Sequence, residues 1–180
     1  PLRSQFYQSN PLPEWVPKGT GPLILVMGGS QGAKAINQIF YESKDFLIKK
    51  KFRIVHIIGE HNPKDNEIIN SDYYVQKKFT HQIAALMQNC DLVISRSGSG
   101  TINELIKTCK PSILIPYPYS KNNHQEKNAM LLSSIGGSIM INQNKISKVF
   151  FEESLERIFT LDSKTEKFKY VILDMMKKNM

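Results

Sequence analysis

The chain has 180 residues, a length that suits one domain with an ordinary buried core, and its formal net charge is +8. Its two cysteines, Cys90 and Cys109, lie far apart with no second Cys or His at ligand spacing, which excludes a disulfide framework and a zinc site. No apolar run approaches the roughly 20 residues of a membrane-spanning helix, so we expect a soluble, cytoplasmic protein. Because the first residue is Pro1 rather than Met, we expect a processed protein or a piece of a longer one.

The positive charge favours acidic partners such as phosphates, anionic lipid headgroups or nucleic acid. The lysines lie in small separate groups, at residues 49–51, 77–78 and 177–178. No aromatic ladder and no recognition-helix pattern lies between these groups. The charge therefore indicates solvated faces, and we expect no nucleic-acid partner.

Residues 1–22, which we call the lead segment, are interrupted by Pro11, Pro13, Pro17 and Pro22. Proline removes a backbone donor and disfavours helix interiors. We therefore expect the lead segment to be extended rather than helical, and the packed domain to start near Leu23.

Strand-like and helix-like runs then alternate along the chain. Short apolar runs typical of buried parallel strands occupy residues 23–27, 53–58, 92–95, 112–116 and 138–141, with a weaker run at 73–75. Helical apolar spacing falls at residues 33–43, 81–89, 101–108 and 125–134. This alternation predicts an α/β fold with a doubly wound, Rossmann-like parallel sheet over residues 23–150. Residues 151–180 interleave charged and apolar side chains and are expected to form amphipathic terminal helices.

A glycine-rich turn follows the first predicted strand and reads Gly28-Gly29-Ser30-Gln31-Gly32. Backbone N–H groups at such a helix start bind phosphate, and Ser30 adds a hydroxyl. The alternative is a tight connection in which the glycines only relieve crowding. The turn lacks the G-x-G-x-x-G spacing of dinucleotide sites and the lysine-terminated phosphate loop.

A second turn, residues 97–101, follows the strand at 92–95 and precedes another helix. The carboxyl ends of neighbouring parallel strands face one crevice, so the two turns together predict a divided site for a nucleotide or nucleotide-sugar. Glu104 lies about one helical turn further on, where a carboxylate accepts hydrogen bonds from ribose hydroxyls. The alternative is a capping box in which Thr101 and Glu104 satisfy the helix start, and spacing alone does not separate the two.

A polar stretch, residues 122–129, follows the strand at 112–116 and is rich in amide and imidazole groups. Such groups recognise sugar hydroxyls at the end of a strand, whereas the alternative is a solvated loop and helix start. No two histidines have the spacing of a metal site, and no nucleophile elbow is present. We therefore predict no metal ligands and no hydrolase triad.

Together these segments resemble the MurG family of bacterial glycosyltransferases. The resemblance is carried by residues 1–3, 28–33, 56–59, the segment around Phe79, and residues 96–104 and 124–129. It implies a GT-B architecture and transfer of N-acetylglucosamine (GlcNAc) from UDP-GlcNAc to lipid I, forming lipid II for peptidoglycan. This chain matches the carboxy-terminal, donor-binding half. The resemblance places the acceptor site and the catalytic base in an amino-terminal half that is absent here.

The resemblance implies a role for each matching position. These are Arg3 at the uracil side of the pocket, Gly29, Ser30 and Gln31 at the diphosphate, the backbone of Phe79 and Thr80 at the uracil edge with Ile83 beneath it, Glu104 on the ribose hydroxyls, Ser99, Gly100 and Thr101 near phosphate and sugar, and His124, Gln125 and Asn128 at the GlcNAc hydroxyls. Thr80 replaces a commonly aliphatic residue, which matters little where the backbone reads the base.

The implied reaction is inverting and needs neither metal nor cofactor. The implied partners are UDP-GlcNAc, lipid I through the missing half, and the anionic cytoplasmic face of the bacterial inner membrane. Donor binding without catalysis is therefore expected of this chain alone.

Two other functions remain open on the sequence. One is an NAD-dependent oxidoreductase or related nucleotide-binding enzyme, with Glu60 as the ribose-binding acid, although the glycine spacing opposes it. The other is a noncatalytic module that binds sugar nucleotides on the same fold.

Overall fold

The predicted strands form a parallel sheet. The structure, a computed structural model, describes residues 2–29, 33–60 and 71–159. Its strands are β1 (Leu23–Met27), β2 (Arg53–Ile57), β3 (Tyr74–Lys77), β4 (Leu92–Ser95), β5 (Ser112–Leu114) and β6 (Ser138–Met140). β1 and β4 have the predicted bounds, and the ends of the other strands differ from prediction by about one or two residues.

The helices lie between these strands as expected. They are α1 (Lys34–Lys49), α2 (Ile83–Asn89), α3 (Ser99–Thr108), α4 (His124–Ser134) and α5 (Lys148–Phe159), with short 3-10 helices at Ser4–Tyr7, Lys121–Asn123 and Gln143–Lys145. α1 runs past its predicted end at Ser43, because Leu47 continues its buried face one turn beyond the polar residues that follow Ser43. The predicted tail beyond Phe159 lies outside the described residues.

The strand order is β3-β2-β1-β4-β5-β6, and every pairing is parallel. β1 lies between β2 and β4, where the two halves of the sheet meet. Its Leu23 pairs with Arg53 of β2, and its Ile24 pairs with Leu92 of β4. The connections therefore run in opposite directions from β1, so the crevice at the carboxyl ends of β1 and β4 is the topological switch point where α/β folds bind ligands. The predicted α/β, doubly wound fold is confirmed.

Two apolar layers enclose the sheet. One face packs against α2, α3 and α4 through residues such as Leu86, Leu105 and Leu132. The other packs against α1 and α5 through residues such as Phe40 and Phe151, whose rings meet edge to face at 5.0 Å. Since both faces are covered, β1 is buried along its whole length, as parallel sheets require.

The lead segment departs from expectation. It contains the 3-10 helix Ser4–Tyr7, and Phe6 and Val16 are buried in the core with α2 and α3. Packing therefore begins well before Leu23. The prolines at 11, 13 and 17 lie beyond this single helical turn and do not oppose it, while burial of the Phe6 ring favours it.

Candidate functional site

The glycines that directly follow β1 and the turn that follows β4 lie at the switch point. Gly28 and Gly29 follow β1, and Gly98 begins α3 after β4, which pairs with β1. Gly29 is exposed and has a φ of +87°, so its conformation itself calls for glycine. Ser30, Gln31 and Gly32, which the sequence placed at the diphosphate, lie outside the described residues.

Steric crowding does not explain the glycines of the second turn. A Cβ added at Gly98 or Gly100 would meet nothing within 4 Å, and Gly98 has an ordinary extended backbone with φ −62°. Neither packing nor conformation therefore explains glycine at these two positions. Open space beside the start of a helix is what close approach of a ligand needs.

At the start of α3, three backbone N–H groups have no acceptor within the helix. The first intrahelical hydrogen bond runs from Ile102 N to Gly98 O at 3.0 Å, and no side chain caps the helix. The N–H groups of Ser99, Gly100 and Thr101 thus lack helical acceptors by the geometry of an α-helix. Thr101 is the third residue of the helix rather than its N-cap, so the capping-box alternative for Thr101 and Glu104 is wrong.

Glu104 is held by an arginine from the lead segment. Arg3 Nη2 donates to Glu104 Oε1 at 2.7 Å, and Arg3 Nε donates to the same oxygen at 3.2 Å. The Arg3 guanidinium also lies 5.3 Å from the centre of the Phe6 ring. The structure therefore brings Arg3 to the residue expected at the ribose. In the described part of the chain, no hydrogen bond, ion pair or cation–π contact joins Arg3 to Phe79 or Thr80, which were expected at the uracil.

The start of α4 is tied to the end of β4. Ser97 Oγ, fully buried, donates to the backbone oxygen of Gln125 at 2.7 Å, and Asn128 Nδ2 donates to Ser97 O at 3.0 Å. Gln125 Oε1 accepts from Tyr117 N at 3.0 Å. These bonds bring Gln125 and Asn128 beside the second glycine turn. His124 is exposed, and its Nδ1 contacts Lys121 O at 2.7 Å.

The expected uracil residues lie at the start of α2, which packs against α3. The Phe79 side chain is 47% exposed, and its ring meets His81 edge to face at 4.7 Å. Thr80 is buried and its Oγ1 accepts from Gln82 N at 3.1 Å, while Ile83 lies in the core. Phe79 also borders a cleft of about 850 Å³ along the edge strand β3. That cleft lies at the β3 edge of the sheet, away from α4.

Arg96 supports the site, although no role for it was predicted from the sequence. Its Nη1 donates to the backbone oxygens of Ile115 and Pro116 at 2.9 and 3.0 Å, and its Nη2 donates to Gln143 Oε1 at 2.6 Å. Burial lowers the pKa of the Arg96 guanidinium. Arg96 thus joins the ends of β4 and β5 on which the second turn and α4 are built. The sequence signal for this role is a charged residue directly after a buried strand.

The described part of the chain contains neither a metal cluster nor a membrane-spanning helix. Within residues 2–29, 33–60 and 71–159, no group of three or more His, Cys, Asp or Glu side chains is placed to hold a metal ion. No helix in this described part is long and apolar enough to cross a membrane. Cys90 is buried and Cys109 is partly buried, and burial raises the pKa of the Cys90 thiol to about 12.

Two curated relatives of the chain have the same name. A protein of Prochlorococcus marinus (strain MIT 9515) named UDP-N-acetylglucosamine–N-acetylmuramyl-(pentapeptide) pyrophosphoryl-undecaprenol N-acetylglucosamine transferase is 72% identical over 180 residues, covering 100% of this chain and 50% of the relative. A protein of the same name from Synechococcus sp. (strain CC9605) is 37% identical over 161 residues, covering 89% and 45%. The chain therefore spans about half the length of the curated relatives it matches.

Solved structures agree on the fold. MurG of Acinetobacter baumannii superposes with a TM-score of 0.63 at 23% identity, covering 94% of this chain and 46% of that one. The calicheamicin glycosyltransferase CalG4 superposes with a TM-score of 0.68 at 15% identity, covering 89% and 42%. At such identities the likeness shows the fold alone.

The family is shown by a match that spans most of the chain. Residues 23–178 match the glycosyltransferase family 28 C-terminal domain. This match and the curated relatives confirm the MurG resemblance inferred from the sequence. The chain thus belongs to the family of glycosyltransferase family 28 C-terminal domains.

Proposed function

We propose that this chain is the donor-binding half of a glycosyltransferase that transfers GlcNAc from UDP-GlcNAc to undecaprenyl-diphospho-N-acetylmuramoyl-pentapeptide, lipid I. The observation that carries the proposal is the 72% identity over 180 residues to a relative named for this transfer. The switch-point geometry agrees with it, because a helix start with open glycines and a nearby carboxylate suits a nucleoside diphosphate.

The proposed chemistry is an inverting displacement. A hydroxyl of the acceptor sugar attacks the anomeric carbon of GlcNAc, the bond from that carbon to the diphosphate oxygen breaks, and UDP leaves. A base in the other half of the protein takes the hydroxyl proton. Residues 1–22 lead in from that half, and the domain over 23–150 binds the donor.

Stabilising the leaving diphosphate is the task of this chain. We place the developing charge at the three N–H groups of α3 that have no helical acceptor, beside Gly28 and Gly29, and one favourable helix end contributes up to ~2 kcal/mol. In this proposal the donor is bound without a metal ion.

The amides at the start of α4 have defined orientations for sugar recognition. Because Gln125 Oε1 accepts from Tyr117 N, the Gln125 NH₂ group remains as a donor. Because Asn128 donates to Ser97 O, its Oδ1 remains as an acceptor. A donor and an acceptor side by side match two hydroxyls of GlcNAc, with His124 nearby.

The remaining assignments are those that the sequence resemblance implies. Gly29, Ser30 and Gln31 contact the diphosphate, the backbone of Phe79 and Thr80 reads the uracil above Ile83, and Glu104 holds the ribose, with Arg3 at its carboxylate. Among these, Ser30 and Gln31 lie outside the described residues.

Calorimetric titration with UDP-GlcNAc in EDTA tests the proposal. We expect the affinity for UDP-GlcNAc to persist in the chelator, since backbone amides bind the diphosphate. We also expect the affinity for UDP-GlcNAc to exceed that for UDP-GalNAc, since α4 recognises the sugar hydroxyls. NAD is the comparator for the oxidoreductase alternative, in which Glu60 would bind ribose. Loss of UDP-GlcNAc binding in EDTA with recovery in magnesium would refute metal-free binding. Tighter binding of NAD than of UDP-GlcNAc would refute the donor assignment.

The net charge of +8 supports a second part of the proposal, attachment to the anionic cytoplasmic face of the inner membrane. We expect the chain to sediment with phosphatidylglycerol vesicles at low salt and to be released near 1 M salt, where the Debye length falls to about 3 Å. Phosphatidylcholine vesicles are the control. Vesicle binding that ignores salt would contradict an electrostatic attachment.

A further inference from the structure

An ion pair joins two parts of the chain that are 101 residues apart. Arg3 approaches Glu104 with Nη2 and Nε, and both hydrogen bonds, at 2.7 and 3.2 Å, end on Oε1. A carboxylate accepts at both of its oxygens. Arg3 therefore occupies one oxygen of Glu104 and leaves acceptor capacity on Oε2.

The two partners differ in burial. The Glu104 side chain is 11% exposed, whereas the Arg3 side chain is 51% exposed. A poorly solvated carboxylate needs a partner, while a half-exposed guanidinium is already hydrated. A pair with one partner this exposed contributes little to the free energy of unfolding. Its main consequence is to fix where the Glu104 carboxylate points.

The lead segment is itself held in place. Phe6 N donates to Arg3 O at 3.0 Å, and the Phe6 ring is 2% exposed within the core. Asn10 N donates to Gln88 Oε1 at 3.0 Å, and Asn89 Nδ2 donates to Asn10 O at 2.9 Å, which fastens the segment to α2. Arg3 thus approaches Glu104 from a fixed backbone.

We propose that Arg3 is a positioning residue for ribose: it holds Glu104 by Oε1 so that Oε2 faces the ribose hydroxyls, and it thereby sets a preference for ribonucleotides over 2′-deoxyribonucleotides. The inference rests on the proposed function, in which Glu104 binds the ribose. It differs from a blocking contact, in which Arg3 occupies Glu104 and must leave before the nucleotide binds.

The test compares UDP with 2′-deoxy-UDP by calorimetry on the full 180-residue chain, on the variants Arg3→Gln, Arg3→Lys and Glu104→Gln, and on the double variant with both Arg3→Gln and Glu104→Gln. The ratio of the two affinities isolates the 2′-hydroxyl, because both ligands carry the same diphosphate. Arg53→Gln is the matched control, since Arg53 is an arginine that donates to the backbone oxygen of Gly21, at the amino end of β2. Thermal unfolding of each variant checks that it is folded, and Arg3→Lys, which keeps the charge, serves if Arg3→Gln does not fold.

We expect the wild-type chain and Arg53→Gln to prefer UDP by about tenfold, the value of one hydrogen bond to a charged group. Arg3→Gln is expected to reduce that preference at least threefold, with Arg3→Lys in between. In the Glu104→Gln background, Arg3→Gln is expected to leave the ratio unchanged, because no carboxylate remains to be positioned.

An undiminished preference in folded Arg3→Gln would overturn the inference and leave the proposed function standing. Tighter UDP binding by Arg3→Gln would also overturn it and establish a blocking contact. Absence of UDP binding by the folded wild-type chain would instead refute the proposed function, and the inference with it.

Discussion

Replacing Glu104 with glutamine is expected to weaken UDP binding by about ten- to a hundredfold. The substitution keeps the length of the side chain but replaces one acceptor oxygen with an amide donor, and it removes the negative charge. Hydrogen bonds to a charged group contribute about 1.5–3 kcal/mol each, which corresponds to this range of affinity. The loss should appear equally with UDP and UDP-GlcNAc, because Glu104 is assigned to the ribose that both ligands share.

The same substitution should change stability much less than affinity. The Glu104 carboxylate loses its 2.7 Å ion pair with Arg3, but that partner is 51% exposed, so the pair contributes at most about 1 kcal/mol. Calorimetric titration measures the affinity, and urea unfolding measures the free energy of unfolding. A large loss of binding with a small loss of stability separates a binding residue from a structural one.

Asn103→Ala is the matched control. Asn103 is the exposed neighbour of Glu104 on α3, and its replacement should leave both affinity and stability near the wild-type values. Wild-type affinity for UDP in Glu104→Gln would show that another group receives the ribose. Equal losses in Asn103→Ala and Glu104→Gln would point to a general disturbance of α3.

The fold was largely predictable because buried parallel strands leave a clear sequence signal. β1 and β4 are continuous apolar runs that end in polar or glycine residues, and their bounds were predicted without error. The packing of the lead segment was not predicted, because the burial of Phe6 depends on α2 and α3, which approach it only in the folded chain. Proline positions indicate the local backbone conformation but do not predict which side chains are buried by tertiary packing.

The candidate site was predictable in part. The two glycine turns, α3 and Glu104 stand in fixed sequence relation to β1 and β4, so topology alone brings them to one crevice. The pairing of Arg3 with Glu104 crosses 101 positions, and no local spacing encodes it. The bonds from Ser97 to α4 and from Arg96 to β5 likewise depend on strand order, which the motifs do not specify.

The second large effect is expected at low pH and concerns His56. This residue of β2 is fully buried, with Nδ1 2.7 Å from Tyr74 Oη and Nε2 3.0 Å from Asn37 Oδ1. Burial lowers the pKa of His56 from 6.5 to about 3.

The sign of the effect follows from proton binding. Below pH 6.5 the unfolded chain takes up a proton at His56, while the folded chain does not until the pH approaches 3. Protons therefore favour the unfolded chain, and stability that is complete above pH 6.5 is lost as the pH falls. With 1.36 kcal/mol per unit of pKa difference, the loss attributable to His56 between pH 6.5 and 4.5 is about 2 kcal/mol.

Urea unfolding at a series of pH values measures this loss, and His56→Gln isolates it from the carboxylates that also titrate. Glutamine keeps a donor and an acceptor near Tyr74 and Asn37 but does not titrate, so that variant should start less stable and lose about 2 kcal/mol less than wild type between pH 6.5 and 4.5. Asn103→Ala, at an exposed residue without a titratable group, should retain the wild-type slope. Parallel acid profiles for wild type and His56→Gln would mean that His56 accepts a proton inside the folded domain, and its bonds to Tyr74 and Asn37 would then have to rearrange without unfolding the sheet.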